Sequence, residues 1–265
     1  MLQGRFFPAV ASGAAGYGAG EAPVSGGWCR RCRTVHSLPL EPAGKACASL
    51  MALLRAQQRI DGHLPPVMAD PRCSTAPLFD PAGGKMFGVL CCRDSEGNQV
   101  TLRAFSGQFN GLWQVDGWVA PLVDVDALAA LTREPERAIK NLGAAMAQFP
   151  RESDAYRQLG RQRKMLSQHL MRSIHALYRL RNFRGETLPL TQAFLGSGAP
   201  PAGTGDCCAP KLLHHAAAAG LHPESLAEFY WGAGNASGAR THGRLYPACV
   251  AKCGQILGFQ LCGAT

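Results

Sequence analysis

The chain lacks any run of 18 apolar residues, the length a helix needs to cross a bilayer, so no membrane partner is expected. It also lacks a hydrophobic secretory segment ahead of its cysteines. Eleven cysteines, an odd count, therefore argue against a secreted disulfide framework and for reduced thiols in a cytosol-like compartment. Acids are scarce: 18 Asp and Glu stand against 27 Lys and Arg, for a net charge of +9. None precedes Glu21, and Arg5 lies among small residues, so a transit peptide over residues 1–20, with an organellar address, is the alternative to a cytoplasmic one. From residue 151 to 184 nine Lys and Arg face only Glu152 and Asp154. A surplus of this sign suits a polyanion, and its uneven spread favours RNA.

What is present supports a real core. With 265 residues and 46% hydrophobic content the chain makes one large domain or two small ones. Residues 45–60 read as a helix, with Leu50, Leu53, Leu54 and Ile60 on one face. A Pro/Gly-rich loop follows over 61–84. Residues 86–92 and 99–105 are strands joined by a turn at 94–98, a hairpin pattern. Residues 111–125 read as an ordered loop packed by Trp113 and Trp118. A helix over 126–148 should break or restart at Pro135.

The strongest helical pattern runs from 156 to 180, where Leu159, Leu166, Leu170, Ile174 and Leu177 make an apolar stripe. Arg157, Arg161, Arg163, Lys164, Arg172, Arg179, Arg181 and Arg184 crowd the remaining surface and the segment after it. Such a face is either an ordinary solvated one or a phosphate-tracking one. Residues 185–205, with three prolines, read as a linker.

The chemistry-bearing residues cluster near the C-terminus. Asp206 should cap a helix that opens with Cys207 and Cys208, where the helix dipole favours thiolate. Pro247 and Cys249 should open a second helix on which Cys253, four residues later, shares a face with Cys249. The strand-like run 226–231 lies between. Cys207, Cys249 and Cys253 are thus the candidate metal ligands, with Zn2+ in a structural role as the expected ion. Cys208, His214, His242 or water would complete the shell. Elsewhere Cys91 and Cys92 read as core residues, and Cys29-x-x-Cys32 as an auxiliary metal site or a plain thiol pair. Thioredoxin-type redox chemistry needs a buried strand just before the motif, and Pro-Val-Ser-Gly-Gly does not read as one.

A cysteine opening one helix and a Pro-x-Cys-x-x-x-Cys opening the next follows the layout of zinc-dependent nucleobase deaminases. The proton-shuttling Glu of that motif is missing, since Ala209 and Pro210 stand two residues after Cys207 and Cys208. Asp206 and Glu228 are the nearby carboxylates. The expected fold is α/β: a small mixed sheet with packed helices in a deaminase-like layout, plus a projecting basic helical arm. Its parts are a disordered or loop-rich 1–44, a helix-plus-hairpin half at 45–125, the arm at 126–184 and a cysteine-containing half at 185–265.

Several segments taken together carry a family resemblance. They are Gly-Lys-Met-Phe-Gly-Val-Leu (84–90), Ala-Phe-Ser-Gly-Gln (104–108) and Gly-Trp-Val-Ala-Pro-Leu-Val-Asp (117–124). Gly-Thr-Gly-Asp-Cys-Cys-Ala-Pro-Lys-Leu-Leu (203–213) and Ala-Glu-Phe-Tyr-Trp-Gly (227–232) follow. His-Gly (242–243), Tyr-Pro-Ala-Cys (246–249), Lys-Cys (252–253) and Ile-Leu-Gly (256–258) close the series. The chain resembles, over 84–125 and 175–262, the N-terminal extension of a subset of RluA-type RNA pseudouridine synthases. In that family a long charged coiled coil separates the two blocks; here it shrinks to about 126–181. The resemblance implies an RNA-modification setting, with rRNA or tRNA as partner. The synthase domain that follows in the family carries an Arg-Leu-Asp motif with the nucleophilic aspartate, and no Arg-Leu-Asp occurs here. A separate catalytic domain is therefore an expected partner, and no catalytic residue is assigned. The reading from another class is a deaminase-like zinc hydrolase acting on a nucleobase or nucleotide.

Overall fold

A computed structural model describes residues 24–264 except 82 and 235–237, so residues 1–20 lie outside it. It is an α/β protein built on a four-stranded sheet of order β4-β3-β7-β8. The strands are β3 (Lys85–Arg93), β4 (Gln99–Phe105), β7 (His222–Trp231) and β8 (Leu245–Tyr246). Every pairing in it is antiparallel, which corrects the expectation of a mixed sheet. The physical reason is the connection. The strands joined through helices, β4 and β7, run in the same sense but lie on either side of β3, so they are not neighbours. Here β3 pairs with β4 through a tight turn, and β7 returns against β3 in the opposite sense.

The expected hairpin is β3–β4, with Asp94 organising its turn by accepting from the backbone N–H of Glu96 and Asn98 at 2.9 and 2.8 Å. Side-chain alternation then divides the core. Leu90, Cys92, Leu226 and Ala104 face one layer, with α5 (Cys208–Ala218) and α6 (Gly254–Gln260). Phe87, Val89, Phe229, Trp231 and Phe105 face the other, against α1 (Ala43–Gln57). Both faces of β3 and β7 are covered, so the sheet is the middle of three layers. On the α1 side Phe87 stacks on Phe229 at 5.5 Å between ring centroids, and Trp118 closes the cluster by donating its indole N–H to Ile60 O at 3.0 Å. Each such buried ring is worth about 1.5–3 kcal/mol of transfer free energy.

The segment expected as an arm forms a helical hairpin, α2 (Val125–Met146) and α3 (Asp154–Leu177), whose long helices pack on each other. Asp124 caps α2 and Ser153 caps α3 through their side-chain oxygens. Helix α2 runs through Pro135 without a break. The lost N–H bond is one of many in a 22-residue helix held along its length by α3. At the hairpin's base Leu180 and Leu190 are fully buried, and the expected linker contains β6 (Thr187–Pro189), paired with β5 (Arg179–Arg181), and the one-turn α4 (Leu190–Ala193).

Residues 24–39, within the stretch expected to be loop-rich, form a hairpin of β1 (Val24–Cys29) and β2 (Thr34–Pro39). Its glycines are there for close approach rather than for turning. A Cβ on Gly27 would meet Gly254 O of α6, and one on Gly258 would meet Trp28 O. The bare backbones lie directly against each other. No helix among the described residues is long and apolar enough to cross a membrane.

Candidate metal centre

Helix α5 starts one residue later than its expected cap. Cys207 occupies the N-cap position without a side-chain cap bond. Asp206 does not cap: its Oδ1 accepts the Tyr178 hydroxyl at 2.6 Å. Burial raises the Asp206 carboxyl above its usual range despite that bond. The cap is supplied across space by Glu228 on β7, whose Oε1 accepts the Ala209 N–H at 2.8 Å. Gly88 makes this possible. It pairs with Glu228 in the sheet, and a Cβ on it would stand 2.6 Å from Cys208 Cβ. Only glycine lets the start of α5 come down onto the carboxylate.

The second cysteine pair departs from its expected setting. Helix α6 begins at Gly254, so Cys253 is its N-cap and Cys249 lies in the turn before it. The thiols meet because that segment folds back on itself, with Gly254 N–H donating to Cys249 O at 2.9 Å. Their sulfurs are 3.6 Å apart. Cys207 joins them, and the three sulfurs lie within 4.8 Å of one another. Two Zn–S bonds of about 2.3 Å at a tetrahedral angle span about 3.8 Å between sulfurs, so the cluster has the dimensions of a thiolate metal site. It could hold a metal ion.

The thiols share charge unequally. Cys249 is held well below the usual thiol range by hydrogen bonds from Cys207 and then Cys253. Cys207 is correspondingly pushed up to about 12, first by that bond and further by burial. A cation would take over the role those two protons now play. The proposed fourth ligands are all engaged elsewhere. Cys208 Sγ donates to Met86 O, His214 Nδ1 accepts the Arg181 N–H at 3.2 Å, and His242 Nδ1 accepts the Gly232 N–H at 3.1 Å. Among the described residues no fourth Cys, His, Asp or Glu donor joins the three.

Glu228 is the carboxylate nearest in effect to this cluster. It is 4% exposed, and burial pushes its carboxyl up to about 7. Lys211 is 1% exposed, with its ammonium 4.7 Å from the Phe105 ring centroid. A cavity of about 460 Å3 lies where the α2–α3 hairpin meets the rest of the fold. Asp206, His175 and Tyr178 line it, and none of the three cysteines does.

The eight candidate RNA-binding residues separate into two groups. Arg157, Arg161, Arg163, Lys164 and Arg172 are exposed on α3. Arg157, Arg161, Lys164 and Arg172 follow at spacings of four, three and eight, so they share one stripe. Arg179 is exposed on β5, but Arg181 is half-buried and Arg184 donates its Nε–H to Cys262 Sγ at 3.3 Å. A second donor group, Cys29, Cys32, His36 and Cys262, also lies within 4.8 Å of itself and could hold an ion. The C-x-x-C was visible in the sequence; His36 and Cys262 carried no local signal. A strand does precede Cys29, contrary to expectation, yet the motif sits in a hairpin turn rather than at a helix start. No known family, curated protein or solved structure matches this chain.

Proposed function

We propose that the chain is an RNA-binding accessory module, fastened by structural zinc at Cys207, Cys249 and Cys253, that serves an RluA-type pseudouridine synthase catalytic domain. The observation that carries this reading is the cationic stripe of α3. Among the described residues its single carboxylate ion pair is Arg157 with Asp154, at 2.8 Å. Arg161, Lys164 and Arg172 keep their full field, and the span from 157 to 172 covers about 22 Å at about 1.5 Å per residue. Fixed cations at that reach displace condensed counterions from a phosphate backbone. Zinc suits the soft sulfur donors, and its part here is to tie the start of α5 to the start of α6.

The test is RNA binding across a salt series. The parent should bind structured rRNA or tRNA at low salt. R161A/K164A/R172A should flatten the log–log salt slope by about 2–3, at roughly 0.7–0.9 per phosphate contact. Absence of measurable binding at low salt refutes the reading. The zinc hydrolase alternative has one observation in its favour: Glu228, with its carboxyl near neutrality, supplies a proton-transfer group beside the cluster. Against it, that carboxylate already holds the Ala209 N–H. Deamination of cytidine or adenosine that is lost in Glu228→Gln would favour the hydrolase.

A further inference from the structure

The N-terminal hairpin brings two donors to one face by its register alone. Gly27 pairs with His36 and Cys29 with Thr34, so Cys29 and His36 lie on the side turned toward α6. Cys32 is brought round by the turn, in which Arg33 takes a left-handed φ of 53° and donates its N–H to Cys29 O at 2.9 Å. Cys262 arrives from the turn after α6, and its sulfur is 3.5 Å from that of Cys32. Cys29 and Cys262 are buried, at 2% and 1% exposure. The imidazole supplies an independent pointer. His36 Nε2 is buried, with no hydrogen-bond partner. A buried ring nitrogen without a partner carries a real cost unless something accepts its lone pair or proton.

We propose that Cys29, Cys32, His36 and Cys262 form a second, independent zinc site that binds the N-terminal hairpin to α6. Three sulfurs and one nitrogen are a structural zinc set, with all four positions filled by protein. On binding, each of the three thiols releases its proton to solvent and the imidazole stays neutral. The centre then carries one net negative charge, which the Arg184 guanidinium against Cys262 Sγ offsets from outside the coordination sphere. The fully occupied shell leaves no position for substrate, so the site's role is to hold the fold.

Elemental analysis of the full chain after incubation with Zn2+ tests this. The parent should hold two zinc ions, and Cys262→Ser one. Cys253→Ser should also hold one, from the other cluster, so failure of either site is read separately. Should Cys262→Ser not fold, Cys32→Ser, at a half-buried position, gives the same reading. Cobalt in Cys253→Ser should show the visible bands of a tetrahedral thiolate complex. Arg184→Ala should weaken zinc at the second site by about 10–100-fold. Equal zinc content in parent and Cys262→Ser overturns the proposal. So does non-reducing peptide mapping that shows a Cys32–Cys262 disulfide in the freshly purified chain.

Discussion

Replacing Gly258 with alanine probes the contact between the first hairpin and α6. A Cβ built there falls 2.0 Å from Trp28 O and 2.6 Å from Gly27 O, both main-chain atoms. Side-chain carbons do not approach closer than about 3.0 Å, so β1 must retreat by about 1 Å. Overpacking of this kind costs about 1–3 kcal/mol. Alanine's better helix propensity returns about 1 kcal/mol. The net loss is up to about 2 kcal/mol, or a fall of up to about 8 °C in Tm for a chain of this size. Gly254, four residues earlier in the same helix, is the control. Its nearest neighbour to an added Cβ is 3.8 Å away and it is the first residue of the helix, where propensity counts least, so Gly254→Ala should stay within about 0.5 kcal/mol of the parent. Thermal unfolding of the two variants decides the matter. If Gly258→Ala melts at or above the parent temperature, the hairpin does not rest on α6 as described. If the two alanines cost the same, backbone propensity and not the clash sets the effect.

Two further outcomes follow from buried polar groups. Burial raises the Glu228 carboxyl from its usual 4.5 to about 7 in the folded chain. A folded value above the unfolded one means that this contribution is fully present below pH 4.5 and is lost as pH rises through about 7. Glu228→Gln keeps an acceptor for Ala209 and removes the ionisation. It should match the parent near pH 4 and exceed it by up to about 3 kcal/mol at pH 8; parallel stability profiles for the two would contradict the assignment. Tyr178→Phe deletes the hydroxyl that Asp206 accepts at 2.6 Å and leaves a half-buried carboxylate under-bonded. A lower urea midpoint, equivalent to about 1–3 kcal/mol, is expected, and an unchanged midpoint would show that water replaces the bond.

What the sequence revealed depended on whether the signal was local. The β3–β4 hairpin was legible because its two strand-like runs and the Asp-Ser-Glu-Gly-Asn turn between them lie within about 20 residues. Helix α3 was legible from its stripe, and the three-cysteine cluster from two short motifs that flank β7. The first hairpin was missed because Gly26 and Gly27 read as loop formers. Their function, permitting backbone to touch backbone, depends on a helix that comes some 230 residues later. His36 and Cys262 were invisible for the same reason. Glu228 looked misplaced for a deaminase because the motif places its glutamate on the helix. The fold brings this one in from the neighbouring strand through the gap left by Gly88.

The union of β1–β2 with α6 also orders events in time. Cys29 and Cys32 are synthesised long before Cys262, and the sulfurs of Cys32 and Cys262 meet across a sequence separation of 230 residues. Closing so long a loop is slow compared with forming the β3–β4 turn or the α2–α3 hairpin. Until α6 leaves the ribosome, the first hairpin has no floor to lie on, and its outward-turned Trp28 and Val35 are not the only apolar surface it presents. The nascent chain therefore carries an unfinished edge until the 230 residues that separate the two cysteines have been made. That edge is where a chaperone would bind and where premature termination would leave a chain unable to close.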